Sequence, residues 1–229
     1  MIYKNNGINT KYKIFIVEDH PIFKFGLEQL INQQDDLIVC EDTDNAHDAL
    51  NMISQSKPDL VIVDLSLKES SGLELTYDLN QYFNDLPVLI LSMHENPTFA
   101  EKALKNGARG YVTKQETYDS IVKAIRKVLS GDMYISNNIS DKLIGKMVGT
   151  KDSQDINPLD DLTPREFEIF ECIGNGMSTK KIAQYLTISS NTVNTYRERI
   201  KEKLNLKNST ELLKAAIIWS QQNNENNVV

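Results

Sequence analysis

An uninterrupted apolar stretch, Leu60-Val61-Ile62-Val63, ends in a carboxylate, Asp64, and resumes at Leu65. Turn residues Pro58-Asp59 precede it. A short, mostly β-branched run without alternation reads as a strand buried on both faces, the kind found in a parallel sheet flanked by helices. This restricts the chain more than any other feature, because such a strand needs parallel neighbours and a helical layer on each side. Asp64 then stands at the strand's C-terminal end. Open α/β sheets bind ligands outside those ends, where the strand order reverses. Alone, an Asp in that place caps the next turn as readily as it does chemistry.

The surrounding sequence repeats the pattern. Apolar runs at Lys13–Val17, Leu37–Glu41, Pro87–Ser92 and Gly110–Lys114 alternate with helical periodicity over about 21–33, 46–56, 71–82, 97–105 and 117–129. The first helix puts Ile22, Phe25, Gly26, Leu30 and Ile31 on one face. Five β-α units in succession predict right-handed crossovers and an α/β doubly wound, five-stranded parallel sheet.

Polar residues gather where such a sheet places its site. The first strand ends in Glu18-Asp19, the third in Asp64, the fourth in Ser92 and the fifth in Lys114. Three carboxylates meeting at one rim repel each other and call for a cation. Hard oxygen donors with open positions suit Mg²⁺, which binds one or two carboxylates together with waters and phosphate oxygens. Lys114 balances the remaining charge, and the Ser92 hydroxyl can donate to an incoming oxyanion. The set reads as a phosphoryl-transfer site with Asp64 as the nucleophile.

Beyond Gly131 the rhythm changes. A short helix over about 139–148, with Leu143, Ile144 and Met147 on one side, precedes a polar, turn-rich stretch from Gly149 to Pro158 that reads as a flexible linker. Then Thr163-Pro164-Arg165-Glu166 opens a helix with an N-cap, a proline at the first position and a capping-box glutamate. A second helix follows Ser178, a third runs from about Asn191 to Leu204, and Asn208 with Glu211 caps a fourth. The tight turn between the second and third predicts a helix-turn-helix in an all-α, four-helix domain. Val193, Tyr196, Ile200 and Leu204 share one face of the third helix; Asn194, Thr195, Glu198 and Glu202 lie opposite. In a major groove, Asn194 can pair with adenine and Glu198 can accept from cytosine. Ser190, Thr192, Arg197, Arg199 and Lys201 are placed for phosphates. The Asn-rich tail, Gln221–Val229, reads as disordered.

Charge agrees with this division. The chain carries a formal charge of -7, which does not suggest a nucleic-acid binder, yet Thr163–Trp219 holds nine basic against six acidic residues. An acidic body with a basic end suggests one part touching a polyanion. Cys40 and Cys172, the two cysteines, read as small hydrophobes rather than a disulfide or metal framework. His20, His47 and His94, without cysteine partners or ligand-like spacing, read as polar loop residues. Met1–Lys13 lacks the apolar core of a signal peptide, and no run approaches a membrane span, so a cytoplasmic protein without membrane contact is expected.

The motifs Glu18-Asp19-His20-Pro21, Asp64-Leu65-Ser66-Leu67 followed by Ser71-Gly72-Leu73-Glu74, Leu91-Ser92-Met93, and Gly107-Ala108-Arg109-Gly110-Tyr111-Val112-Thr113-Lys114 resemble the receiver domain of bacterial response regulators. Leu162-Thr163-Pro164-Arg165-Glu166, Gly176-Met177-Ser178-Thr179-Lys180-Lys181-Ile182-Ala183, Ser190-Asn191-Thr192-Val193-Asn194-Thr195-Tyr196 and Ile200-Lys201-Glu202-Lys203-Leu204 resemble the LuxR-type DNA-binding domain. Together they resemble the NarL/FixJ class. The resemblance implies a flavodoxin-like receiver over 11–131, a linker over 132–161 and a DNA-binding domain over 162–221. It implies that Asp64 accepts phosphate from a sensor histidine kinase, and that Asp19, Asp64 and the Ser66 carbonyl bind Mg²⁺, with Glu18 acting through water. Ser92 and Tyr111 would form the switch pair. Without the resemblance, Tyr111 reads as an ordinary half-buried strand aromatic. It further implies homodimers on two-fold operators in double-stranded DNA, formed through the last helix, with Lys180 added to the DNA-contacting set. Lys68 stands where a proline is frequent in receivers, as does Gln115, which puts a cis peptide there in doubt. The implied function is transcription regulation controlled by phosphorylation, not enzymatic turnover. Two rivals are a regulator that binds DNA constitutively with a silent receiver and a stand-alone phosphotransferase. The latter commonly has a second acid where this chain has Ser66.

Overall fold

The computed structural model describes residues 11–67, 71–93, 96–148 and 158–225. Most of the chain to Ile139 forms one compact unit and most of the remainder another. In the first, β1 (Tyr12–Val17), α1 (Pro21–Asn32), β2 (Leu37–Thr43), α2 (Ala46–Ser56), β3 (Leu60–Asp64), α3 (Gly72–Tyr82), β4 (Val88–Ser92), α4 (Pro97–Lys105), β5 (Gly110–Thr113) and α5 (Tyr118–Leu129) follow one another as predicted. The sheet is parallel throughout, in the order β2-β1-β3-β4-β5 and then a sixth strand. Every residue of β3 is buried, which is why its apolar run shows no alternation. One core packs Ile14, Ile16, Ile62, Leu89 and Leu91 of the sheet against Leu27 and Ile31 of α1 and Ile121, Ile125 and Val128 of α5. The strand order reverses at β1, so the crevice beyond the ends of β1 and β3 is the switch point of the fold.

Five strands are predicted and the described residues form six. β6 (Tyr134–Ile135) extends the sheet beside β5, with the Tyr134 amide donating to the Arg109 carbonyl at 3.1 Å and the Ser136 amide to the Tyr111 carbonyl at 3.1 Å. Two residues are too few to display a period, so nothing in the sequence marks them as a strand. The segment predicted as a linker, 132–161, therefore contains β6, α6 (Asn137–Val148) and a turn of 3-10 helix (Pro158–Asp161). The polar stretch 149–157 lies outside the described residues, as do Lys68 and His94.

The second unit contains α7 (Pro164–Gly174), α8 (Thr179–Tyr185), α9 (Ser190–Lys203) and α10 (Ser209–Glu225). The predicted capping box is present: Glu166 N donates to Thr163 Oγ1 at 3.3 Å, and Thr163 N donates to Glu166 Oε2 at 2.8 Å. Ser178 and Ser189 cap α8 and α9 by accepting from Lys181 N and Thr192 N. Ile182, Leu186, Val193, Ile200, Leu212 and Ala216 bury the inner faces. Trp219 meets Phe167 and Phe170 edge-on, with ring centroids 5.2 and 6.1 Å away. α10 runs to Glu225, beyond the predicted start of the disordered tail at Gln221. A nucleated helix propagates cheaply through Gln and Asn, which break it far less than Gly or Pro. Residues 226–229 lie outside the described residues.

Two glycines should respond oppositely to alanine. A Cβ at Gly174 would lie 2.5 Å from the Ala216 carbonyl oxygen, so α7 and α10 must part; a Cβ at Gly26 in α1 meets nothing within 4 Å. Gly174→Ala is expected to destabilise the second unit by about 1–3 kcal/mol, read from urea unfolding by the fluorescence of Trp219, the single tryptophan. Gly26→Ala is expected to stabilise the first by about 0.5–1 kcal/mol, read by far-ultraviolet circular dichroism.

Candidate functional site

β1 stops at Val17, and Glu18, Asp19 and His20 cross the rim of the sheet before Pro21 opens α1. The Glu18 amide still donates to the Thr43 carbonyl at 3.0 Å, which keeps the crossing in line with β2. Beside it β3 delivers Asp64, β4 delivers Ser92, and the chain leaving β5 delivers Lys114, whose amide donates to the Ser92 carbonyl at 2.7 Å. The four strand ends named from the sequence thus converge on one buried cluster.

Lys114 sits at its centre. Its Nζ lies 2.6 Å from Glu18 Oε2 and 3.0 Å from Asp64 Oδ2, and 4.7 Å from the centre of the Phe23 ring. Burial alone would lower the ammonium's pKa and raise that of Asp64. For Lys114 the facing carboxylates outweigh burial and push the value up. For Asp64 the Lys114 charge, His20 and the Ser66 amide, which donates to Oδ1 at 3.2 Å, outweigh it and hold the carboxyl well below the usual range. These contacts favour the ionised form of the Asp64 carboxyl.

Gly72, at the first position of α3, fits because it lacks a side chain. A Cβ there would lie 2.2 Å from the Asp64 carbonyl oxygen, so the helix start presses directly on the end of β3. Ser71 caps that helix by accepting from Glu74 N at 3.3 Å. Ser92 is completely buried. Tyr111, read from the sequence as half-buried, is also completely enclosed, because β5 is covered on both faces.

His20 is the residue the sequence undervalues. Instead of a solvated loop side chain, its Nδ1 lies 2.9 Å from Asp19 Oδ1, 3.1 Å from Glu18 Oε1 and 3.8 Å from Asp64 Oδ2. Hydrogen bonds to Asp19, then Asp64 and Glu18, push its pKa up to about 11 against the opposing effects of burial and Lys114. The available signal is position: His20 follows two rim carboxylates directly and precedes the proline that starts α1. Glu18, Asp19, His20 and Asp64 form a cluster whose ligand atoms all lie within 4.8 Å of one another. Buried Glu18 Oε2 and Asp64 Oδ2 accept no well-aligned hydrogen bond; both meet the Lys114 charge, and Asp64 Oδ2 also faces His20. An oxygen-rich pocket with unused acceptor capacity fits Mg²⁺.

The candidate nucleic-acid face is on α9. Val193 and Ile200 turn inward, while Asn194, Thr195, Glu198, Arg199 and Glu202 are exposed and Thr192 and Arg197 half-buried. Lys180 on α8 and Ser190 in the first turn of α9 are exposed as well. Lys201 differs from the rest: its ammonium meets Glu198 Oε2 at 2.8 Å and its side chain is largely covered. The Thr195 hydroxyl donates to the Asn191 carbonyl at 3.1 Å. Arg199 lies over the Tyr196 ring at 5.7 Å.

Comparison with known proteins matches both parts. Residues 14–126 match the response regulator receiver domain, and 160–216 match the luxR family of bacterial regulatory proteins. The oxygen regulatory protein NreC of Staphylococcus carnosus is 34% identical over 90% of this chain and 96% of its own. A two-component response regulator of the LuxR family from Aurantimonas sp. SI85-9A1 has 32% identity and a TM-score of 0.59, covering 61% of this chain and 99% of that one. The RcsB response regulator in its DNA complex shares the fold with a TM-score of 0.56 at 24% identity, over 90% of this chain and 97% of that one. Among the described residues no helix is long and apolar enough to cross a membrane.

The His20 contacts give a pH signature in metal-free buffer. A pKa raised on folding contributes stability that is complete below about 6.5, the unfolded value, and is lost as pH rises through the folded value of about 11. The stability advantage of the native protein over His20→Asn should therefore be largest near pH 6 and shrink steadily towards pH 10 in thermal melts. A difference that is constant across that window would contradict the contacts.

Proposed function

The chain belongs to the response regulators that join a receiver domain to a LuxR-type DNA-binding domain, and on that premise we propose that Asp64 accepts a phosphoryl group from a sensor histidine kinase. It is a DNA-binding transcription regulator controlled by phosphorylation. The observation that carries the assignment to Asp64 is its position: fully buried at the switch point of the sheet, ionised, with Lys114 Nζ 3.0 Å from Oδ2.

In this reading the receiver occupies 11–131, the connecting segment 132–161 and the DNA-binding domain 162–221, and the protein acts in the cytoplasm. Asp19, Asp64 and the Ser66 carbonyl hold Mg²⁺, with Glu18 acting through water. When bound, the ion neutralises phosphoryl oxygens that would otherwise be repelled by the carboxylates. One Asp64 oxygen attacks phosphorus, an acyl phosphate bond forms, and the bond to the donor nitrogen breaks with its electron pair returning to that nitrogen. Lys114 stays against the transferred group as a counter-charge. Ser92 donates its hydroxyl to a phosphoryl oxygen, and Tyr111 follows the space that Ser92 leaves. Asp64 is modified once and not regenerated in the same event, so the chain is a phosphoacceptor rather than an enzyme. A new dianion in a pocket of fixed charge biases a two-state element, and that bias promotes dimers on DNA.

On the DNA side Asn194 and Glu198 read base edges. Ser190, Thr192, Thr195, Arg197, Arg199, Lys201 and Lys180 hold the backbone. Lys201 serves by releasing Glu198, its present partner, as the phosphate approaches.

Intact-protein mass after incubation with a small phosphodonor and Mg²⁺ should show one added phosphoryl group on the native protein and none on Asp64→Asn. Under the same conditions operator affinity should rise for the native protein only. Equal affinity for the two proteins would leave a constitutive DNA binder with a silent receiver. Asn194→Ala should cost about 1–3 kcal/mol and relax preference at one base pair. Arg199→Ala should weaken binding to all sequences alike and reduce the slope of affinity against salt by about 1.

A further inference from the structure

Resting on the reading that α9 carries Asn194 to base edges, we propose that Arg165, a buried residue of α7, is the positioning residue that fixes the angle at which α9 enters the groove. Its hold is on the turn that aims α9. Arg165 is 4% exposed; Nη1 pairs with Glu168 Oε2, and Nη2 donates to the Leu186 carbonyl at 3.1 Å. Leu186 closes α8, and only Thr187, Ile188 and Ser189 separate it from α9. The neighbouring Glu166 serves the far end of α9: its Oε2 receives Lys203 Nζ at 2.7 Å, and the same ammonium donates to the Asp161 carbonyl at 3.2 Å. A helix held at one end pivots about it. α9 is held at both ends, from adjacent residues of α7.

The turn itself shows why a hold is needed. α7, α8 and α9 all end in the same motif, in which the residue after the cap is left-handed and two amides fold back onto the last turn. After α7 that residue is Gly176, at φ 74°, and after α9 it is Asn205, at φ 54°. Both types adopt the conformation at little cost. After α8 it is Thr187, also at φ 54°. The motif is complete there, since Ile188 N donates to the Ala183 carbonyl at 2.9 Å and Thr187 N to the Gln184 carbonyl at 3.3 Å. A β-branched residue is strained in that region. Left to its own preference the turn would relax and swing the first half of α9, which carries Asn194. Arg165 grips the carbonyl immediately before the strained residue. Its own burial is expensive: Nε has no hydrogen-bond partner, and buried ion pairs seldom stabilise a fold more than apolar side chains of similar size. What the Arg165–Glu168 pair supplies is a direction for α9 rather than stability.

The test uses the full chain with a small phosphodonor and Mg²⁺. Two probes are compared: a duplex that the native protein selects from a random double-stranded pool, and a shuffled duplex of the same composition. Arg165→Met combined with Glu168→Leu removes both charges, so neither is left buried alone. This variant should keep the native melting temperature and bind the shuffled duplex as the native protein does, yet bind the selected duplex at least about tenfold more weakly. Adding Thr187→Gly, which makes the turn favourable by itself, should restore most of the lost preference. A merely structural role gives neither the selective loss nor its recovery. Arg165→Lys is the second variant: it keeps a charge against Glu168 but lacks the fork that reaches Leu186 as well, and should show the same selective loss. Native preference in either folded variant overturns the inference. So does equal weakening on both duplexes, and so does a loss that Thr187→Gly leaves unrepaired. If Asn194→Ala loses the preference while the Arg165 variants keep it, only this inference falls. If none of these variants loses it, the α9 reading falls with it.

Discussion

Three carboxylates buried within contact of one another are the constraint on which the first unit turns. Glu18, Asp19 and Asp64 are each nearly inaccessible to solvent, and like charges at that range and in that medium repel by several kcal/mol per pair even at an effective dielectric near 20. The fold tolerates them because Lys114 is inserted between Glu18 and Asp64 and His20 closes the side of Asp19. Cation and anions are thus mutually dependent: remove the ammonium and the remaining charges lose their compensation, remove a carboxylate and a buried ammonium is left with less of its own. Such a cluster cannot absorb a change of two charges without rearranging. In the proposed reading, the phosphoryl group brings that change of charge, and the cluster acts as a switch.

The backbone makes that rearrangement consequential. Asp64 ends a strand that is covered on both faces, and Gly72 brings the start of α3 against the Asp64 carbonyl at a distance no other residue permits. Ser92 joins the same rim through the Lys114 amide, which donates to its carbonyl oxygen. Charge introduced at one oxygen therefore bears on strands β3, β4 and β5 together. Close packing favours discrete alternatives over gradual deformation.

Most of this is legible in the sequence for a simple reason. Strands buried on both faces cannot alternate, so β1, β3 and β4 appear as unbroken apolar runs, and each hands its last polar residue to the rim. Glu18, Asp19, Asp64, Ser92 and Lys114 are all reachable by that rule. β6 is not, because two residues carry no period and its pairing depends on β5 being already in place. His20 is not either: a histidine is ordinary in a loop, and its meaning comes from three oxygens contributed by two separate strand ends. The enclosure of Tyr111 is likewise a property of the completed layers. In the second unit the caps Thr163, Ser178 and Asn208 are readable one by one, since a cap is a local interaction. The engagement of Lys201 by Glu198 is also local, yet the spacing admits several partners and only the rotamers choose among them.

That ion pair bears on how the second unit can work. α9 exposes Arg199 and half-buries Arg197, but Glu198 and Glu202 share the exposed face, and Lys201 is occupied by Glu198. Non-specific affinity follows the number of phosphates neutralised, so a single copy with so mixed a surface begins with a weak electrostatic hold. Weakness of that kind is useful in a controlled regulator. If one domain bound DNA well by itself, a switch in another part of the chain would have little left to change. Joining two copies turns the second contact into an intramolecular event, with an effective concentration set by the linkage rather than by the protein in solution. In the proposed reading, a low intrinsic grip of α9 lets pairing of two chains act as the controlling step.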